Sequence, residues 1–126
     1  MIRNETITAI ILSYRRIPNI PYIVDRIKKQ TYKPERIIIW NDNVTPDGSN
    51  IKLDDGDIEV INTNSNKWQS FPAYALGWLT HSNYIAIIDD DYPPGPEWFE
   101  LCVSRQKKHY GIFSGKGVLL HNKYSY

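Results

Sequence analysis

Short β-branched runs alternate along this chain with segments of helical periodicity, and that alternation restricts the fold more than any other feature. Thr6 to Ser13 (TITAIILS) is continuous, apolar and too short for a typical helix, as a strand covered on both faces should be. Ile20, Ile23, Val24 and Ile27 then recur at i, i+3, i+4 and i+7 behind Asn19 and Pro21, with Lys28 and Lys29 on the open side, which predicts an amphipathic helix. Arg36 to Trp40 (RIIIW) and Ile58 to Asn62 (IEVIN) predict a second and a third strand. Between them lies a polar loop rich in Asn, Asp, Gly and Pro, the kind of segment that carries a site. Pro72, Ala75, Leu76 and Leu79 share helical spacing and predict a short helix from Pro72 to Thr80; Tyr84 to Ile88 (YIAII) predicts a fourth strand. Pro96 is expected to open another helix with Phe99, Cys102 and Val103 facing inward, and Gly111 to Leu120 reads as strand-like pieces around a glycine pair. Strands joined by crossover helices pair in parallel and cross right-handed, so the expected fold is α/β, a three-layer α/β/α sandwich with a mostly parallel sheet. In such sheets ligands bind at the carboxyl ends of the strands.

The chain's 126 residues suit one domain. Fifteen basic against fourteen acidic side chains leave a charge of +1, which gives no basic footprint for nucleic acid. The single cysteine, Cys102, excludes an internal disulfide and is expected to be a packed thiol. No apolar run approaches the roughly 20 residues of a membrane span, so no span is expected and the cytoplasm is the expected compartment.

Asp89, Asp90 and Asp91 carry the strongest chemical signal. Three adjacent carboxylates at the end of a buried strand repel one another unless solvent or a cation relieves them. Mg²⁺ or Mn²⁺ suits such a place, because these ions accept one or two carboxylates and complete their shell with water and substrate phosphates. The plain alternative is a solvated turn leading to Pro96, with Asp90 or Asp91 helping to cap the helix.

The run from Thr6 to Asn43, TITAIILSYRRIPNIPYIVDRIKKQTYKPERIIIWNDN, resembles the start of the nucleotide-diphospho-sugar glycosyltransferases of the GT-A fold, particularly family 2 and the exostosin-like enzymes. Those enzymes carry a strand ending in a Ser/Thr-Tyr pair, a helix, a Q-T-Y-x-P-x-x-I-I-I segment, an aspartate, and an Asp-x-Asp motif after an apolar strand. Gln30 to Ile39 and Ile85 to Asp91 reproduce the last features almost letter for letter, and the likeness extends to about Leu120. It implies a single GT-A-like domain over residues 1–126, or the donor-binding part of a larger catalytic domain. It also implies transfer of a sugar from a UDP- or dTDP-type donor to an acceptor hydroxyl, with Mn²⁺ or Mg²⁺ as cofactor and inversion of configuration. By the same resemblance, Ser13 and Tyr14 lie against the nucleoside and Asp42 accepts from the base. A carboxylate accepts from the imide N–H of uracil or thymine, whereas N3 of cytosine is itself an acceptor. Asp89 is expected near ribose and metal, Asp91 on the metal, and Asp90 is counted among the nucleotide-sugar-binding residues at the variable middle position, where a side chain can turn away.

The sequence also departs from that pattern. Many family 2 members have an Ala-Arg-Asn-x-Gly helix start, and here Ala73, Tyr74, Ala75, Leu76, Gly77 keep the flanks and lose Arg and Asn. Arg15, Lys67 or Lys116 is expected to supply the phosphate-facing charge instead. The resembling enzymes carry their catalytic base beyond the donor site, and none is assigned here. Glu97 and Glu100 read as structural, His81, His109 and His121 as isolated, and the four tryptophans as core or rim, with Trp68 the best placed for a sugar. The alternative reading is a non-catalytic nucleotide-sugar-binding module or a truncated donor-binding half. A phosphoacceptor domain would need aspartates after the first strand, where Ser13, Tyr14 and Arg15 stand, and a nucleotidyltransferase a glycine- and arginine-rich loop.

Overall fold

The computed structural model describes residues 5–43, 50–63, 65, 67, 68 and 71–114. Four strands, β1 (Ile7–Ser13), β2 (Arg36–Asn41), β3 (Ile58–Asn62) and β4 (Tyr84–Asp89), form one sheet in the order β3-β2-β1-β4. Every pairing is parallel. Helix α1 (Ile20–Lys28) follows a single 3-10 turn at Ile17–Asn19, α2 (Phe71–Leu79) precedes β4, and α3 (Trp98–Gln106) follows it.

The strands alternate between two apolar layers because successive side chains leave a strand on opposite faces. Ile7, Ala9 and Ile11 of β1, Ile37 and Ile39 of β2, and Ile88 of β4 pack with Ile20, Ile23, Val24 and Ile27 of α1 and Phe99 and Val103 of α3. Ile10 and Ile38 point the other way and meet Ala73 of α2. The result is the expected α/β/α sandwich. The four α1 side chains picked out by their spacing are the four that are buried. At roughly 1.5–3 kcal/mol each, their burial holds α1 on the sheet far more firmly than its nine-residue helix propensity could.

The expected helix over Pro72 to Thr80 is present as α2, and three details of the elements add to or correct the expectations. The inward face of α2 is Pro72, Ala73 and Gly77, with Leu76 partly covered, while Ala75 and Leu79 face solvent. The helix is apolar all round, so its spacing could not identify the buried side. What sets the side is close approach at Gly77, where a Cβ would stand 2.5 Å from Ile85 Cδ1. Second, Pro96 lies before α3 rather than in it: Trp98 N–H bonds Gly95 O across a turn, and the helix starts at Trp98. Third, Trp78 is 92% exposed and belongs to neither core nor rim. Residues 111–114 hold no strand, and the rest of the Gly111 to Leu120 run, with Lys116 and His121, lies outside the described residues.

Among the described residues β4 is paired on one side only. A groove of about 680 Å³ runs beside it, lined among others by Tyr74, Ile85, Ile87, Trp98 and Phe113. No helix of the described residues is long and apolar enough to cross a membrane.

Candidate functional site

Parallel register brings the carboxyl ends of β1, β2 and β4 to one edge: Ser13 is level with Asn41, and Leu12 with Asp89. The chain leaves each strand there through a short polar segment, and these segments are bonded to one another.

The β1 exit is the most tightly held. Asn43 donates from Nδ2 to Ser13 O at 3.3 Å and to Ser13 Oγ at 3.1 Å, and its Oδ1 accepts the Arg15 N–H. Tyr14 N–H donates to Asp90 Oδ2 at 2.6 Å. Between these anchors Arg15 takes φ of +67°, a left-handed conformation unusual for a residue other than glycine. Its guanidinium lies 4.8 Å from the centroid of the Tyr14 ring, a cation–π arrangement.

Asp42 is 3% exposed, and Oδ1 accepts from Trp40 Nε1 at 2.6 Å and from Thr63 Oγ1 at 2.8 Å. Its backbone N–H reaches Ser13 O at 3.0 Å. Two donors on one oxygen fix the carboxylate's rotamer, and among the described residues Oδ2 has no hydrogen-bond partner. Asn41, Asn62 and Ile51 continue the network: Asn41 Nδ2 bonds Asn62 Oδ1 at 2.7 Å, and Asn62 Oδ1 also accepts Ile51 N–H at 3.0 Å. The loop following β2 is thereby tied back to the end of β3.

The three aspartates after Ile88 differ in exposure, Asp89 as the last residue of β4 and Asp90 and Asp91 in the turn that follows. Asp89 is exposed on the same sheet face as Ile85 and Ile87, Asp90 is buried, and Asp91 is exposed again. Asp90 does not point into solvent or cap α3. Its carboxylate takes the Tyr14 N–H and Arg16 Nη1, the latter at 3.1 Å, while its carbonyl accepts Asn19 Nδ2 at 2.9 Å. Asp89 and Asp91 line one cleft of about 440 Å³ with Tyr92, Pro94, Trp98 and Phe113. Among the described residues no group of three or more His, Cys, Asp or Glu converges as a cation cage. Two exposed carboxylates fit Mg²⁺ or Mn²⁺, which keep water and phosphate ligands, and do not fit an ion that needs an all-protein shell.

The structure therefore brings Ser13, Tyr14, Asp42 and Asp90 into one bonded edge and sets Asp89 and Asp91 on the cleft beside it. The expected cations are elsewhere. Arg15 lies on Tyr14, and Lys67 is exposed without an ion pair among the described residues. The cation that does meet the aspartates is Arg16, whose Nη1 is 3.1 Å from Asp90 Oδ1 and 3.4 Å from Asp91 Oδ2. Sequence reasoning misses Arg16, Asn43 and Thr63; the only signal is the Arg15-Arg16 pair and the Asn41 to Asn43 run. His81 and His109 are exposed, and Trp68 is exposed as a sugar platform would require. Cys102 is partly buried, and that burial pushes its thiol above the ordinary value.

No curated protein matches this chain. A family model described as "Glycosyl transferase family 2" matches residues 8–119, a stretch that begins in β1 and takes in every strand, the acidic tip and α3. The match supports the family 2 side of the resemblance and does not extend to the exostosin-like enzymes. With most of its length inside that match, and with the parallel α/β sandwich just described, the chain belongs to glycosyl transferase family 2 and has the GT-A fold.

Proposed function

We propose that this domain binds a nucleoside-diphosphate sugar of the UDP or dTDP type, with Mn²⁺ or Mg²⁺ on Asp91 and Asp89, and transfers the sugar to an acceptor hydroxyl with inversion. The observation that carries this reading is the common edge: a buried carboxylate anchored through one oxygen after β2, a backbone clamp after β1, and two exposed carboxylates on a cleft after β4. Asp42 Oδ2 accepts the imide N–H of the base, while Trp40 and Thr63 hold the other oxygen and keep the carboxylate oriented. Tyr14 lies over the nucleoside, and its backbone is positioned by Asp90. Asp91 and Asp89 hold the cation against the diphosphate. When bound, that ion neutralises charge on the departing diphosphate as a Lewis acid. Arg15, seated on Tyr14 at the β1 exit, and the exposed Lys67 are the cations assigned to the phosphates, although neither pairs with the aspartates.

A thermal-shift panel tests the reading: UDP, dTDP, GDP and CDP, each with Mn²⁺, Mg²⁺ or chelator. UDP or dTDP with Mn²⁺ is expected to stabilise the domain, by about 2.7 kcal/mol at 100 times the dissociation constant. GDP and CDP should do less. In Asp91→Ala the metal-dependent part of the shift should vanish with the fold intact. Equal shifts with and without chelator would remove the ion from the site, and no shift with any nucleotide would remove the donor.

A further inference from the structure

We infer that Arg16 is an exchangeable counter-ion for Asp91, and that its release ties cation binding to diphosphate binding. The inference rests on the metal and nucleotide reading above and adds a residue and a sequence of events to it.

One guanidinium nitrogen serves two unequal carboxylates. Asp90 is nearly closed to solvent, with its side chain 5% exposed, and it holds Nη1 at 3.1 Å while also accepting the Tyr14 N–H. Asp91 is 52% exposed and holds the same nitrogen at 3.4 Å. The first contact is a charge-assisted hydrogen bond in a sheltered place, and the second is a surface ion pair of the kind worth little in water. Arg16 is itself 51% exposed, so its head can leave Asp91 without unpacking anything.

A divalent ion that takes Asp91 meets this cation first. If Arg16 stays, like charges face each other across a few ångströms. If it leaves, a guanidinium is set free beside the ion. A diphosphate resolves the conflict, because its oxygens give the planar fork of an arginine a paired partner that a bare ion cannot offer. Cation alone should therefore bind against a handicap, and diphosphate should remove it. Arg15 and Lys67 make no ion pair with the aspartates and cannot act in this way. The left-handed turn at Arg15, pinned by Asn43 on one side and Asp90 on the other, is what delivers Arg16 to the pair.

The test is Mn²⁺ titration read from the signal of free Mn²⁺ in electron paramagnetic resonance, with and without UDP, on the wild type, Arg16→Gln and Arg16→Lys. UDP chelates Mn²⁺ directly, so some coupling appears in every protein; the Arg16 share is the difference between them. Arg16→Gln should bind Mn²⁺ alone at least threefold more tightly than the wild type and bind UDP with Mn²⁺ about tenfold more weakly, roughly 1.4 kcal/mol. Arg16→Lys keeps a cation on Asp90 and guards against a folding failure; it should shift both quantities the same way by less. Mn²⁺ affinity unchanged or weakened in both variants, while UDP still binds with Mn²⁺, would overturn the role of Arg16 and leave the nucleotide reading standing. Absence of Mn²⁺ and UDP binding in the wild type would overturn both.

Discussion

Asp42, Asp90 and Asp91 are chemically identical side chains, and substitution should separate them by their surroundings. Asp42→Asn retains an oxygen for Trp40 and Thr63, so its melting temperature should stay close to wild type. The other end becomes an amide donor, however, and the preference for UDP and dTDP over CDP should fall or reverse in the nucleotide panel. Asp90→Ala strands the Tyr14 N–H and releases Arg16, and urea unfolding should show a loss of about 2 kcal/mol. Asp91→Ala touches only solvent and an exposed ion pair, so its stability should change by less than about 0.5 kcal/mol. Strand alternation accounts for Asp89, the last residue of β4, whereas Asp90 and Asp91 lie in the turn beyond it and are divided by the bonds that draw Asp90 inward. The partners are not legible in the sequence. Arg16, Asn43 and Thr63 reach the site because the turns after β1, β2 and β3 fold toward one another, and nothing in their local spacing encodes that meeting.

Helix α1 and the β4 to α3 connection are joined by the first two residues of the Gln30-Thr31-Tyr32 run. Gln30 is buried; its Nε2 donates to Gly95 O and its Oε1 accepts the Phe99 N–H at 3.0 Å, while Thr31 N–H bonds Pro96 O at 3.0 Å. The run that marks the family resemblance thus works here as a strap that fixes where α3 begins, downstream of the acidic tip. Gln30→Leu keeps the bulk and leaves two backbone groups unpaired; a loss of about 2–3 kcal/mol in urea is expected. At α2 the decisive contact is Gly77 on Ile85. Gly77→Ala gains helix propensity of about 1 kcal/mol and forces the Ile85 tip aside at about the same cost, for a net effect near zero. With Ile85→Val as background the tip is gone and the same change should stabilise the protein; a double-mutant cycle reads the difference. Strands and α1 are legible in the sequence because the strands are short continuous β-branched runs and α1 carries a clear helical period. The buried side of α2 is not, because a helix that is apolar on every side carries no directional signal.

Among the described residues two groups give the molecule a dependence on alkaline pH. Loss of solvent, with the Glu5 carboxylate nearby, raises the Tyr84 phenol above its ordinary 10.0, and burial raises the Cys102 thiol above its ordinary 9.0. The folded protein therefore keeps protons that the unfolded chain gives up. The stabilisation is complete below pH 9 and declines as pH rises, first through the Cys102 window and then through that of Tyr84. Tyr84→Phe should flatten the decline above about pH 10 in thermal melts and leave its start, set by Cys102, in place. The same strand has a second consequence. Among the described residues one margin of β4 is unpaired, a ladder of amide groups with Ile85 and Ile87 on its flank and a template on which other extended chains can grow. Concentrated solutions of the domain should cloud on warming before it fully unfolds, and Ile87→Lys, which sets a charge on that flank, should delay the turbidity more than it shifts the melting point.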